Sequence, residues 1–157
     1  MRCGRARTDA GYTLVATLIL LALTSLGLSV VGPIWSQSAQ REREQELLRI
    51  GSLYAQAIAS YRDASPGRPK QFPDKLDALL LDVRFVGVMR HLRKGYPDPV
   101  NPGMPWGTVL DGEGRVTGVY SLSDQAPIAQ GALVIGDLAL PAAKRYSEWK
   151  FIAKPKS

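Results

Sequence analysis

Gly11-Tyr12-Thr13-Leu14-Val15 opens an apolar run that continues to Trp35, and no residue from Tyr12 to Trp35 is charged. Leu, Val, Ile and Ala dominate the run, and its hydroxyl residues are Thr13, Thr17, Thr24, Ser25 and Ser29. At about 1.5 Å per residue, a helix over residues 12–35 rises roughly 36 Å, against about 30 Å for a bilayer's hydrocarbon core. The run therefore predicts a transmembrane helix, with the rest of the chain as its cargo. Arg2, Arg5 and Arg7 precede it. By the positive-inside rule they set the N-terminus in the cytoplasm and the polar remainder across the membrane. Trp35, at the far end of the run, suits a membrane interface.

The totals narrow the classes. The chain has 157 residues, and the portion beyond the apolar run is long enough for one small domain with its own core. Net charge is +6, of which the head supplies part through its three arginines and Asp9. The rest is spread out, so a solvated surface is expected and no nucleic-acid partner. Cys3 is the one cysteine and His91 the one histidine, which excludes a disulfide in the body and a zinc site of several ligands.

Three processing fates compete. A secretory signal peptide has an apolar core of about 7–15 residues ending at small residues. This run is longer, and Ser36-Gln37-Ser38 is only a weak small-x-small site. An uncleaved anchor is the second fate, and cleavage before the apolar run is the third. The residues favour the third. A short basic leader, Gly11, an aromatic Tyr12, Thr13-Leu14-Val15, the apolar run and Pro33 at the twenty-second place from Tyr12 together resemble the prepilin peptidase segment of type IV pilins and type II secretion pseudopilins. The resemblance implies cleavage after Gly11 and N-methylation of Tyr12, where those families usually carry Phe. It also implies a helix that packs among like helices in a filament. Those families usually carry Glu at the fifth mature position, and here that position is Ala16. An unpaired carboxylate in lipid is costly, so its absence eases insertion and weakens lateral pairing. In the resembling families this loss marks a minor subunit at a filament tip.

Beyond the run, Pro33 predicts a bend near Ser29, because proline lacks an N–H and clashes with the carbonyl four residues back. Leu47, Ile50, Leu53, Tyr54, Ala57, Ile58 and Tyr61 recur at steps of three and four, one apolar stripe of a helix. The charges from Arg41 to Glu46 read as a wet face, with Glu42 and Glu46 pairing to arginines a turn away. Ala64-Ser65-Pro66-Gly67-Arg68-Pro69 ends that helix. Short helices are expected over 72–81 and 86–93, and a proline-fixed loop over 95–103. Residues 106–110 and 115–122 flank Asp111-Gly112-Glu113-Gly114 as a hairpin whose Asp-Gly turn supplies positive φ. Residues 132–140 are ambiguous between helix and strand, and 146–152 predict a last strand. Tyr96-Pro97-Asp98-Pro99, Trp106-Gly107, Gly118-Val119-Tyr120-Ser121-Leu122-Ser123 and Tyr146-Ser147-Glu148-Trp149-Lys150-Phe151 also resemble the pseudopilin globular domain.

The expected fold class is α+β: a long N-terminal transmembrane and amphipathic helix, then a small domain with short helices and an antiparallel β-sheet. The expected segments are a leader 1–11, a transmembrane or filament-core helix 12–35, an amphipathic helix 36–62 and a periplasmic domain 63–157. His91, beside Arg90 and Arg93, reads as a surface residue of a short helix, and Asp98 as a turn residue accepting backbone N–H groups. Trp106 and Trp149 read as core. No catalytic constellation is expected, hence no enzyme, and no cofactor. Calcium near Ser123 and Asp124, a place suggested by the resemblance, is the minority reading, since too few acidic residues follow. Gly11 and Tyr12 are the expected processing residues, and Thr13, Leu14, Ala16, Pro33 and Trp35 the marks of the membrane and filament helix. Expected partners are other pseudopilins or pilins, a prepilin peptidase, an inner-membrane assembly platform and the lipid bilayer. The alternative is a bitopic periplasmic binding module on an uncleaved anchor.

Overall fold

The computed structural model describes residues 8–67, 69–129 and 131–154, and within the first helix the side chains of 11–24 and 37–63. The chain divides into two units, Met1–Gln40 and Arg41–Ser157.

The helix α1 runs over Thr8–Asp63. In the first unit its described side chains are all exposed from Gly11 to Thr24. The transmembrane part of the expected fold class is overturned: among the described residues no helix is long and apolar enough to cross a membrane. The stretches of α1 whose side chains are described do not supply one: 11–24 rises roughly 21 Å at about 1.5 Å per residue, short of a hydrocarbon core of about 30 Å, and 37–63 carries the charges of Arg41 to Glu46. Pro33 and Trp35 lie within α1, which runs on past both, and the interface position expected of the Trp35 side chain falls outside the described side chains.

In the second unit, the stripe predicted on the helix is the core. Leu47, Ile50, Tyr54, Ala57, Ile58 and Tyr61 are buried and Leu53 is half-buried. They pack with residues of a small antiparallel sheet in the order β1-β2-β5: β1 (Gly107–Leu110), β2 (Val116–Tyr120) and β5 (Phe151–Ile152). The β1–β2 hairpin keeps the predicted position, with a bulge between Val109 and Leu110. Its positive φ sits on Gly114 rather than Gly112: Gly114 N–H donates to the Asp111 carbonyl, closing a four-residue turn, and Asp111 N–H donates to the Arg115 carbonyl beyond it. The ambiguous 132–140 stretch is a second hairpin, β3 (Leu133–Ile135) and β4 (Leu138–Leu140). Only the last two residues of the predicted final strand are strand. Tyr146–Glu148 is a 3₁₀ turn that brings Tyr146 and Trp149 fully into the core, their rings edge to face at 5.4 Å.

Two predicted short helices are corrected. Over 72–81 only Leu76–Leu79 coils, as a 3₁₀ turn. Upstream of it the Pro73 carbonyl accepts from Val116 N–H at 2.8 Å, which ties the segment to the start of β2. Over 86–93 there is no helix. Asp82 and Met89 form an antiparallel bridge, and Gly87 at φ 141° lies far outside helical backbone space. The loop at 95–103 is as expected. The Tyr96 backbone is held from both sides by the Tyr54 hydroxyl, and its carbonyl also accepts Trp106 Nε1–H at 2.8 Å. Asp98 accepts Val100 N–H as predicted. It is also fully buried and takes the Ser121 hydroxyl at 2.5 Å.

Candidate functional site

In the first unit, Tyr12, Val15, Ala16, Ile19, Leu20 and Leu23 share one helix face, at steps of three, four and seven, and border a shallow hollow of about 290 Å³. Ala16 has the smallest side chain of the six, with larger neighbours on adjacent turns. A dip of this kind, flanked by branched and aromatic side chains, is what a side chain of a second helix fills in ridge-and-groove packing. Leu14, Leu18 and Leu21, on other faces, are also more than half exposed, so apolar surface surrounds the helix. The Thr17 hydroxyl donates to the Leu14 carbonyl at 2.8 Å and the Thr24 hydroxyl to the Leu21 carbonyl at 2.9 Å. These two hydroxyl protons are thus used within the helix rather than across helices, and they do not hinder contact with an apolar neighbour.

Gly11 is not explained by the fold. It lies in the helix, where glycine costs about 1 kcal/mol relative to alanine. A Cβ there would meet nothing within 4 Å, and its φ is not positive. Neither packing nor backbone geometry requires glycine at this position.

The second unit holds two buried charge clusters that sequence reasoning misses. Asp82 is 1 % exposed. Its carboxylate accepts Arg84 backbone N–H at 3.0 Å, Arg84 Nε–H at 2.8 Å and Arg84 Nη2–H at 2.6 Å. Arg84 also donates to the Tyr61 carbonyl and the Ser65 hydroxyl, and its guanidinium stacks 3.5 Å over the Tyr61 ring. These Arg84 hydrogen bonds, above all, hold the Asp82 carboxyl down at about 2, against burial, with a smaller part from His91. The same pair raises the Arg84 guanidinium above its ordinary value.

His91 is corrected from surface to interior. Its side chain is 1 % exposed, with Nε2 3.3 Å from Asp82 Oδ2 and Nδ1 2.9 Å from Ser60 Oγ. Serine, histidine and aspartate thus stand in a row. The aspartate is nevertheless neutralised by the Arg84 fork. Ser60 sits inside α1, where backbone N–H groups are engaged in the helix ladder and do not converge on a developing oxyanion. The arrangement fixes the 82–91 loop to the C-terminal end of α1.

Glu44 is the second cluster and breaks the predicted wet face. Arg41, Glu42 and Arg43 are exposed, and Glu46 pairs with Arg49 at 2.6 Å, but Glu44 is 6 % exposed. It accepts Ile128 N–H at 2.7 Å, Ala129 N–H at 3.0 Å and the Tyr146 hydroxyl at 2.8 Å. Glu44→Ala leaves two backbone donors without their acceptor, and we expect a loss of about 1–3 kcal/mol. Thermal unfolding measures the loss, and faster hydrogen exchange at the Ile128 and Ala129 amides assigns it to this clasp.

Among the described residues no three His, Cys, Asp or Glu side chains converge as a metal site. At the place suggested for calcium, Asp124 pairs with Arg145 at 3.2 Å and the Ser123 hydroxyl accepts Gln125 N–H at 3.3 Å. Compared with known proteins, the chain matches no family, no curated protein and no solved structure.

Proposed function

We propose that the chain is a structural subunit, a minor pseudopilin or pilin-like protein of a type II secretion system or related pilus machine. It is clipped after Gly11 and joins a short filament by packing its apolar helical face against like helices. The globular unit lies on the periplasmic side. The observation that carries the reading is the first unit's surface. Large apolar side chains from Tyr12 to Leu23 stand 53–79 % exposed, without a charge among them, around the dip at Ala16. Burying one such side chain is worth about 1.5–3 kcal/mol, so a surface of this kind calls for a neighbour. Gly11 adds support, since a peptidase that reads a flexible, side-chain-free residue would need the glycine that the fold does not. Other subunits, the prepilin peptidase, the assembly platform and the bilayer are its partners in this reading.

Intact-mass spectrometry of protein extracted from the membranes of cells that possess a prepilin peptidase tests it. The expected mass lacks residues 1–11 and carries one added methyl group on Tyr12. A bulky replacement of Gly11 should abolish that product. A mature chain that keeps Met1, or one trimmed near Ser38, would contradict the reading.

A further inference from the structure

The loop at 81–88 is an apolar tip on a rigid base. Val83, Val86 and Val88 are 83 %, 111 % and 75 % exposed, and Leu81 beside them is 48 % exposed. In a folded domain such side chains usually collapse inward. Here the base prevents it. Asp82 N–H bonds the Met89 carbonyl, His91 and Leu92 N–H both bond the Leu79 carbonyl, and the Asp82–Arg84–Tyr61 network ties the loop to α1. Arg84 is turned back into that network, so the tip itself carries no outward charge.

The exposed charges of the chain segment that carries the tip are of one sign. From Ala78 to Pro97 the single carboxylate is Asp82, which is buried and matched by Arg84. Arg90, Arg93 and Lys94 come directly after the loop, and all three are exposed. An apolar projection flanked by cations, with no exposed anion in the segment, matches the chemistry of an anionic bilayer surface. The acyl boundary accepts the valines, and the lipid phosphates accept the arginines and the lysine. Such a surface needs no shaped cleft, which suits a tip of short, similar side chains.

We propose that residues 81–94 form a peripheral membrane-docking element, in which Val83, Val86 and Val88 enter the headgroup–acyl boundary while Arg90, Arg93 and Lys94 rest on anionic headgroups. This element is separate from the exposed helix of the first unit and does not depend on clipping at Gly11.

The test reads the loop itself, because the full chain also carries the apolar helix of the first unit, which can bring it to any vesicle. A polarity-sensitive fluorophore is attached at Val86→Cys in a Cys3→Ser background, and in a second protein at Val134→Cys, which is 76 % exposed on β3. Full-length protein is mixed with vesicles of phosphatidylcholine, with or without phosphatidylglycerol. The expected result is a blue shift at position 86 and a several-fold loss of access to an aqueous quencher, only on anionic vesicles. High salt, which shortens the reach of the charges, should reverse it. The triple variant Arg90→Glu, Arg93→Glu, Lys94→Glu should lose it while keeping the same near-ultraviolet circular dichroism. No shift at position 86, an equal shift on neutral vesicles or at position 134, or a shift retained by the triple variant would overturn the proposal. Protection of position 86 that rises with protein concentration in the absence of lipid would assign the loop to a protein partner, and would overturn it too.

Discussion

Asp82→Ala is expected to lower the stability of the C-terminal unit by about 3 kcal/mol, with urea unfolding as the measurement. Breaking a buried ion pair by removing one partner typically costs about 3–5 kcal/mol, because the other charge stays behind. The charge left here is Arg84, whose side chain is 22 % exposed, so water offsets part of the loss and the lower end applies. Its bonds to the Tyr61 carbonyl and the Ser65 hydroxyl remain but do not neutralise it. Replacing both partners by apolar residues of similar size, Asp82→Leu with Arg84→Met, should cost far less than the sum of the single changes. A double variant as unstable as that sum would mean that Asp82 acts through the loop backbone alone.

The same carboxylate fixes a pH dependence. Its pKa is lowered from 3.8 in the unfolded chain to about 2 in the fold. In that window the unfolded chain binds the proton and the folded chain does not. The stabilisation is therefore full above 3.8 and is lost as pH falls through about 2. The shift corresponds to about 2 kcal/mol. Wild-type stability should fall by roughly that amount more than Asp82→Asn stability over the same acid range.

How legible each element is in the sequence depends on how local its signal is. The stripe from Leu47 to Tyr61 repeats over four turns of one helix, so its buried face can be read directly. The β1–β2 hairpin can be read because alternation and a turn lie next to each other. Glu44 and Asp82 cannot, because their partners are remote in sequence or lie in irregular backbone. Glu44 bonds Ile128, Ala129 and Tyr146, and inside the run Arg41 to Glu46 it looks like any solvated charge. Asp82 carries one local hint, a carboxylate two residues before Arg84 within an apolar stretch. His91 reads as external because charged Arg90 and Arg93 flank it, whereas its own ring is fixed by Ser60 and Asp82 from two other segments. The helix expected over 86–93 fails for a related reason. Its propensity is outweighed by the Asp82–Met89 bridge and by Gly87.

Phe151→Ala is expected to cost about 3–5 kcal/mol, as for other fully buried aromatics, and to reverse the effect of a second change. The Phe151 ring is 0 % exposed, and an added Cβ on Gly51 would come within 2.5 Å of ring carbons. Glycine inside a helix sacrifices about 1 kcal/mol relative to alanine, and here that sacrifice lets β5 lie against the helix backbone. In the wild type, Gly51→Ala forces the ring or the helix to move, and overpacking of this kind costs about 1–3 kcal/mol, enough to outweigh the gain in propensity. In the Phe151→Ala protein the clash is gone. Gly51→Ala should then stabilise by up to about 1 kcal/mol, since only the helix preference remains. Chemical unfolding of the four proteins measures the coupling. If Gly51→Ala has the same sign and size in both backgrounds, the contact between residue 51 and the Phe151 ring is not what positions β5 on the helix.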